Sequence, residues 1–288
     1  MADTNFLKDN LAGTVPVEIA REIMKNIIDQ ASILKVSKKI PMASDKMVIP
    51  KLTSTGTAGW VNEGEEIGTT LPEFDYPELK AKKLAIIVPV TREKINDSVA
   101  NVINEVKQAI ADMFASAIDK ACIFGLSSPF ETNLLESIRG INSIITAKKT
   151  LNIDISDCMG LVEDYNYNCT HLLMGTTQKK VLRALANDNA FKNSLDLDSA
   201  YNTPIEYVRN WDNLSAIAIT GDFSRSIVGT RENMEYEILK EATIKSGNKT
   251  INLAQQDMIG IKCTMRMAYL VADAKAFSMI ASDPQPHA

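Results

Sequence analysis

Two different hydrophobic periods follow one another across residues 82–125. The apolar, β-branched run at residues 84–90 has the length and composition of a strand. After it, apolar residues recur at three- and four-residue steps, the spacing of an amphipathic helix, at Val99, Val102, Ile103, Val106, Ile110, Met113, Phe114, Ala117, Ile118 and Ala121. The pattern predicts a helix over residues 97–124 that ends at Gly125. At 1.5 Å per residue such a helix is roughly 40 Å long.

The opposite face of this predicted helix is polar. It carries Asn101, Asn104, Glu105, Lys107, Gln108, Asp112, Ser116, Asp119 and Lys120. A long helix with one apolar face and one solvent-exposed polar face is expected to lie along a sheet, and we call it the spine helix. The residues predicted to pack this spine helix against the sheet are Val102, Val106, Ile110 and Met113.

Shorter patterns surround the predicted spine. Residues 1–15 are polar and are expected to form an arm, and residues 16–28 have helical spacing with Pro16 near the first turn. Pro50 favours an edge position for a strand over residues 46–52. Further strands are predicted at residues 170–174, 205–209, 215–220, 225–229, 234–239 and within 258–280. Helices are predicted from residue 153 and after a cap at Thr176 or Thr177.

Charge is segregated between residues 53 and 83. Six acidic residues and no basic one lie between residues 63 and 78, and three lysines follow. Because few apolar residues here could form a core of their own, the segment is interpreted as a projecting β-hairpin that contacts a neighbouring molecule. A solvated, mobile loop is the alternative. The predicted contact residues are Trp60, Glu63, Glu65, Glu66, Phe74, Lys80, Lys82 and Lys83.

Composition narrows the class of protein. A chain of 288 residues with 45% hydrophobic and 23% charged residues is typical of a folded protein with one large or two interlocked domains. Its net charge of −5 argues against a globally basic nucleic-acid binder. The four cysteines form no CxxC pair, which favours reduced, buried thiols and a reducing, cytosolic setting. There is no signal-peptide pattern and no run of the ~20 apolar residues that span a bilayer.

No pattern of catalytic residues is present. The chain has two histidines, and His171 lies within an apolar run, where a hydrogen-bonded core histidine is the expected interpretation. The motifs GxSxG, HExxH, GxGxxG and the P-loop do not occur. The acidic residues of the hairpin have no predicted pocket that could shift their pKa values. No catalytic, cofactor-binding or metal-binding residue is therefore predicted, although an enzyme with dispersed active-site residues remains an alternative.

Six short segments follow one another along the first third of the chain: residues 16–20 (PVEIA), 40–42 (IPM), 48–50 (VIP), 60–65 (WVNEGE), 83–85 (KLA) and 88–93 (VPVTRE). Their order and spacing resemble the major capsid proteins of tailed bacteriophages, which have the Hong Kong 97-type fold. The resemblance extends over roughly residues 14–281. It implies an α+β fold with an N-terminal arm and short helix (1–45), an extended loop (46–84), a peripheral domain with the spine helix (85–142 and 223–258), an axial domain (143–222 and 259–281) and a tail (282–288).

The function implied by the resemblance is that of a structural subunit of a phage or prophage. Such subunits assemble in the host bacterial cytoplasm into an icosahedral shell of hexamers and pentamers around double-stranded DNA, with no membrane. The expected partners are further copies of the chain, a portal protein, a separate scaffolding protein, a decoration protein, and DNA through weak contacts without sequence preference. An encapsulin-like compartment is an alternative with the same fold. Some capsids of this fold crosslink through a lysine of the extended loop, but no partner asparagine is identified, so no crosslink is predicted.

Overall fold

The computed structural model of the chain describes nine stretches and three single residues. They are residues 17–54, 59–61, 63–64, 66, 69, 71, 73–93, 99–147, 150–186, 197–211, 216–246 and 249–281. The predicted arm and tail lie outside them, as do residues 97 and 98 at the start of the predicted spine helix.

The described α-helices lie in the first two thirds of the chain, and the last third consists mainly of strands. The helices are α1 (Val17–Gln30), α2 (Ser32–Val36), α3 (Val99–Asp119), α4 (Leu134–Gly140), α5 (Leu151–Glu163) and α6 (Lys179–Ala186). The strands are β1 (Lys38–Pro41), β2 (Lys46–Val48), β3 (Lys51–Ser54), β4 (Glu73–Asp75), β5 (Glu78–Lys80), β6 (Lys82–Thr91), β7 (Ile144–Thr146), β8 (His171–Gly175), β9 (Ser199–Ala200), β10 (Thr203–Val208), β11 (Ala218–Gly221), β12 (Ser226–Leu239), β13 (Thr243–Ser246), β14 (Lys249–Asn252), β15 (Met258–Val271) and β16 (Phe277–Ala281).

The predicted spine helix is present and ends where its sequence indicates. α3 continues without a break into a π-helical segment, Lys120–Phe124, and Gly125 then adopts the left-handed conformation with φ 71°. A Cβ at this position would also collide with the side chain of Asn133, which accepts a hydrogen bond from the backbone N–H of Glu136 and so caps α4. Glycine therefore both ends the spine and admits the cap of the next helix.

Two larger sheets form the body of the protein. The first has four strands in the order β1-β12-β15-β6, with β1 parallel to β12 and the other pairs antiparallel. The second has six strands in the order β7-β16-β11-β8-β10-β9. β8 and β10 are parallel in this sheet, as are β7 and β16.

One apolar core runs beneath both sheets. It joins α1, α2 and the spine helix to the inward faces of β12 and β15, and it continues to Leu173 and Met279 of the six-stranded sheet. A second core packs α5 and α6 on the opposite face of that sheet, through residues such as Leu172 and Met174. Adjacent residues of β8 thus point into different cores, as the two-residue period of a strand requires.

The strand pairing divides residues 259–281 between the two sheets. The resemblance assigned residues 259–281 to the axial domain, but Met258–Val271 pairs along its length with β12 and β6 in the four-stranded sheet. Within that range only Phe277–Ala281 joins the six-stranded sheet. The two strands expected at residues 225–229 and 234–239 are one continuous strand, β12, and α4 was not predicted. Long-range pairing decides these features, and it leaves little trace in local periodicity.

Candidate subunit interface

The predicted hairpin is present as two short antiparallel ladders. β2 pairs with β5, and farther out β3 pairs with β4. Ile49 and Pro50 separate the ladders on one strand, and the Ile49 N–H donates to the Pro77 carbonyl oxygen at 3.1 Å across the gap. We call residues 46–48 with 78–80 the hairpin base, and residues 51–75 its distal part.

The hairpin base packs on the outer face of the four-stranded sheet. Leu79 is fully buried and, with Met42, forms a small core against Ile227, Ala268 and Leu270. The sequence indicated that the hairpin has few apolar residues for a core of its own, and the base shares this small core with the four-stranded sheet. Leu79 stands among charged neighbours, so local hydrophobicity conceals its role.

A glycine in the sheet permits this close approach. Gly229 of β12 lies directly beneath Leu79 and Met42, and a Cβ added at Gly229 would collide with both side chains. Its backbone is not in the left-handed region, so the constraint is the close packing of hairpin on sheet rather than backbone strain. Sequence reasoning missed Gly229, because a glycine within a strand indicates close approach only once the neighbour is known.

Ion pairs surround the base. The Asp45 carboxylate pairs with Arg231 and, at 3.3 Å, with Arg266, both on the four-stranded sheet. Lys51 pairs with Asp273 at 3.2 Å, and Tyr167 donates its hydroxyl hydrogen to Asp273 at 2.9 Å. These contacts hold the start of the distal part against the loop that precedes β16.

A further ion pair joins the base to the loop before α4. Lys80 donates to Glu131 at 2.6 Å. This hydrogen bond raises the pKa of Lys80 and lowers the pKa of Glu131. Lys82 and Lys46 add to the lowering. Both partners face solvent, so the pair orients the hairpin and adds little stability.

The distal part exposes its large apolar side chains. Trp60 is 106% exposed and Leu71 is 86% exposed, values typical of side chains with no neighbour. Leu52 and Phe74 lie opposite each other in the β3–β4 ladder, and both are about half exposed. A concentration of exposed apolar residues on one projecting element is typical of a protein–protein contact.

The predicted contact residues divide into two groups. Trp60, Glu63, Glu66 and Phe74 are exposed on the distal part, while Lys82 and Lys83 are exposed at the start of β6. Lys80 is half-buried by its ion pairs at the base. Glu65 lies outside the described residues. The acidic and basic residues are therefore on different elements rather than along one surface of the hairpin.

A groove of about 730 Å³ lies beside the basic group. It is bounded by the start of β6, the C-terminal half of the spine helix and the loop over residues 126–130. Its walls are apolar and include Met113, Leu126 and Phe130. Lys82, Lys83 and Lys120 line it together with Asp112.

The predicted packing residues of the spine helix have different environments. Ile110 is fully buried in the shared core, and Val106 packs against that core while partly exposed. Met113 is 40% exposed and lines the groove, and its packing against the sheet stays a prediction. The side chain of Val102 lies outside the described residues. The helix also packs along α1, which covers part of the face that was expected to meet the sheet alone.

The polar face of the spine helix is partly occupied. Asp119 was expected to be solvated but is 5% exposed, and its carboxylate accepts the backbone N–H groups of Ser32 and Ile33. Asp112 and Ser116 contact Arg209 and Asn210, which follow β10. These residues were missed because polar side chains at helical spacing usually face water.

The cysteines and His171 are the other side chains that could take part in catalysis, and the fold buries or half-buries them. Three cysteines are buried as free thiols, and Cys169 is half-buried rather than buried. His171 is also half-buried, edge-on to the Phe223 ring at 6.0 Å, and burial lowers its pKa. In the described part of the chain, no three His, Cys, Asp or Glu side chains gather closely enough to hold a metal ion. No described helix combines the length and apolar character needed to cross a bilayer.

Comparison with known proteins identifies the family. The family model described as the phage capsid family matches residues 12–281. The chain belongs to the phage capsid family. The members of this family are structural proteins of the capsid, so the predicted structural role, rather than an enzymatic one, is confirmed.

Individual relatives agree with this assignment. The major capsid protein of Staphylococcus phage 80alpha is 28% identical over 285 residues, covering 96% of this chain and 88% of that protein. A solved chain from Microbacterium phage Oxtober96 has a TM-score of 0.75 at 26% identity, covering 88% of this chain and 91% of its own. A chain from Mycobacterium phage Adephagia has the same TM-score at 22% identity, covering 90% and 92%, and supports the fold. The predicted α+β fold of the Hong Kong 97 type is confirmed.

Proposed function

We propose that this phage capsid protein assembles into an icosahedral shell of hexamers and pentamers that encloses double-stranded DNA in a tailed phage or prophage. The observation that supports the proposal is the hairpin, because its base is anchored on the body while its distal part carries exposed aromatic and acidic side chains. An exposed Trp60 does not stabilise an isolated subunit. In an assembled shell, the same contact between neighbouring subunits buries Trp60 in every copy.

The proposed contact joins the distal part of one hairpin to the groove of a neighbouring copy. The groove has apolar walls for Trp60 or Phe74, and its lysines oppose the acidic residues Glu63 and Glu66. Exposed ion pairs contribute ~0–1 kcal/mol each. Burying an aromatic side chain of ~200 Å² at ~25 cal/mol per Å² contributes about 5 kcal/mol before ordering costs. The aromatic residues therefore supply the affinity, and the charges select the register.

Exchange of charges tests this contact. Glu63→Lys with Glu66→Lys places cations opposite the lysines of the groove, and Lys82→Glu with Lys83→Glu reverses the groove. We expect either double variant to fold but to form few shells, and the chain carrying all four substitutions to recover assembly. Electron microscopy of negatively stained particles and sedimentation measure the outcome. Normal shells from both double variants would exclude this contact.

Deletion of residues 55–74 tests the hairpin as a whole. We expect a folded subunit that remains unassembled or aggregates. Far-UV circular dichroism separates loss of assembly from loss of fold, and intact shells from the deleted chain would refute the role of the hairpin.

The proposed contact with DNA is weak and independent of sequence. The structure pairs several cations near the spine helix with anions, for instance Arg92 with Asp257 at 3.3 Å and Arg209 with Asp112 at 3.1 Å. Paired charges leave a surface close to neutral, past which packaged DNA could slide. Titration of the unassembled subunit with short duplexes should show weak binding that disappears at moderate salt. A tight, sequence-selective complex would contradict this part of the proposal.

The family resemblance suggests further partners: a portal protein, a separate scaffolding protein and a decoration protein. Co-expression with the products of neighbouring genes, followed by counting of regular shells, tests the scaffolding protein first. A partner that increases the yield of closed shells without remaining in them has the expected behaviour of a scaffold.

A further inference from the structure

Three polar residues on one face of the spine helix connect it to the six-stranded sheet. Asp112, Ser116 and Asp119 are spaced by four and three residues, so they lie above one another. Arg209 Nη1 donates to Asp112 Oδ1 at 3.1 Å, and Asn210 Nδ2 donates to Ser116 Oγ at 2.7 Å. Both donors directly follow β10.

The contact at Asp119 differs from the other two because it is buried. The Asp112 side chain is 48% exposed, whereas Asp119 is 5% exposed. The two Asp119 carboxylate oxygens accept the backbone N–H groups of Ser32 and Ile33, each at 3.0 Å. These N–H groups open α2, whose N-cap residue is Ala31 and has no side-chain acceptor. Asp119 therefore supplies from another helix the cap that α2 lacks.

α2 continues the connection to the six-stranded sheet. Lys35 donates to Glu206 on β10 at 2.6 Å, and the Ser32 hydroxyl donates to the Tyr207 carbonyl oxygen at 3.4 Å. The spine helix thus holds α2 through Asp119, and α2 holds β10. The short helix is the middle member of a clasp, by which we mean Asp119, α2 and Glu206.

The groups that face Asp119 have opposing effects on its proton affinity. Burial raises the pKa of Asp119 to about 6, and the negative charge of Glu206 on β10 adds to the rise. The N–H groups of Ile33 and Ser32 and the Lys35 ammonium group lower this pKa. Cys122 of the π-helical segment also lies close, but burial raises its own pKa well above the ordinary value, so it remains a neutral thiol.

The direction of the pH effect follows from linkage. An Asp119 carboxyl group released into water has its ordinary pKa, 3.8, and the closed clasp raises this pKa to about 6. The closed state therefore binds the proton more tightly, so acid favours closing. As pH rises through 6, the Asp119 carboxyl group ionises in the closed clasp as well. The extra stability that protonation gives the closed clasp is then lost, because the ionised carboxylate is better solvated in the open state.

We propose that Asp119, α2 and Glu206 form a proton-sensitive clasp that holds the six-stranded sheet more tightly against the spine helix in acid than at neutral pH. The inference concerns the single subunit and does not depend on the proposed shell. Between pH 7 and pH 5 the ratio of closed to open clasp is expected to rise about tenfold, because the closed state gains a proton that the open state does not bind.

Hydrogen exchange of the full-length, unassembled subunit tests the clasp. The protection of the Ser32 and Ile33 amides, corrected for intrinsic exchange, should increase about tenfold from pH 7 to pH 5. Asp119→Asn keeps the shape and one acceptor but cannot titrate, so its protection should not change with pH in this range. Asp112→Asn is the matched control on an exposed part of the same face, and it should retain the pH dependence of the unaltered chain.

A second variant tests the clasp if Asp119→Asn does not fold. Glu206→Gln removes the neighbouring negative charge and frees Lys35, so the transition in protection should move to lower pH while the contacts persist. Protection that is independent of pH in the unaltered chain would overturn the proposal. So would an unchanged transition in Glu206→Gln, or the same transition in Asp119→Asn as in the unaltered chain.

Discussion

The base and the distal part of the hairpin use apolar side chains in opposite ways. Leu79 of the base is 0% exposed against the four-stranded sheet, whereas Trp60 of the distal part is 106% exposed. The two residues belong to one projecting segment, and each lies within three positions of an acidic residue, Glu78 for Leu79 and Glu63 for Trp60. Local hydrophobicity does not predict which of the two is buried.

The difference shows how a subunit can keep apolar side chains exposed for contact with another molecule while other apolar side chains are buried in its own core. An apolar residue that meets its partner within the chain stabilises the subunit, and one that does not is available to another molecule. Anchoring the base also limits the directions in which the distal part can point, which reduces the entropy lost on binding. The hairpin thus combines a base that is packed on the four-stranded sheet with a distal part whose apolar side chains are exposed.

Truncation of Leu79 gives the largest expected difference between the two parts. Leu79→Ala should lower the free energy of unfolding by ~2–5 kcal/mol, because it leaves a cavity between hairpin and sheet. Leu71→Ala is the matched control, since the same truncation at an 86% exposed site removes no described contact. Chemical denaturation of the unassembled subunit measures both, and equal effects would contradict the distinction.

Gly229→Ala should also destabilise the base, by ~1–3 kcal/mol, through overpacking against Leu79 and Met42. Gly140→Ala is a suitable control, because a Cβ there meets no atom within 4 Å. Combining Gly229→Ala with Leu79→Ala should cost less than the sum of the single substitutions, since the alanine methyl group occupies vacated space. Strict additivity would show that the two residues are independent.

Asp45→Asn tests how much the ion pairs of the hairpin base contribute to the stability of the subunit. It weakens the pairing of the base with Arg231 and Arg266, and a partly exposed network of this kind is worth ~0–1 kcal/mol. The difference from the unaltered chain should shrink further at high salt. A salt-independent loss of several kcal/mol would indicate that Asp45 has a packing role instead.

Trp60→Ala should have the smallest effect on the subunit itself, within about 0.5 kcal/mol of the unaltered free energy of unfolding. The same substitution should strongly reduce assembly, because it removes the largest exposed apolar side chain of the distal part. Thermal melting of the unassembled subunit and particle counts from one preparation measure the two effects together. A clear fall in melting temperature would place Trp60 against its own chain.

Much of the fold follows from local pattern. The four-residue spacing of Ile110, Phe114 and Ile118 predicts the spine helix, and all three are buried. The β-branched run before it predicts β6, and Gly125 marks the end of the helix in the left-handed conformation. These features are set by side-chain period and backbone sterics, which act within a few residues.

The candidate interface was only partly predictable. Charge segregation and isolated aromatics pointed to the hairpin, and the structure exposes Trp60 and Phe74 on it. The groove was not predicted, because Lys82, Met113 and Phe130 come from three separate elements. Residues that are far apart in the sequence form a surface only after the sheet and the helix have packed.

What the sequence alone determined is therefore the spine helix with its end at Gly125, the strand that precedes it, and the exposure of Trp60 and Phe74 on the hairpin. The tertiary structure alone decided that Met258–Val271 belongs to the four-stranded sheet, that Leu79 is buried, and that Asp119 caps α2 rather than facing water. Periodicity is a property of neighbours along the chain. Strand partners, close approaches and buried carboxylates depend on groups brought together from distant positions, and their free energies exist only when those groups meet.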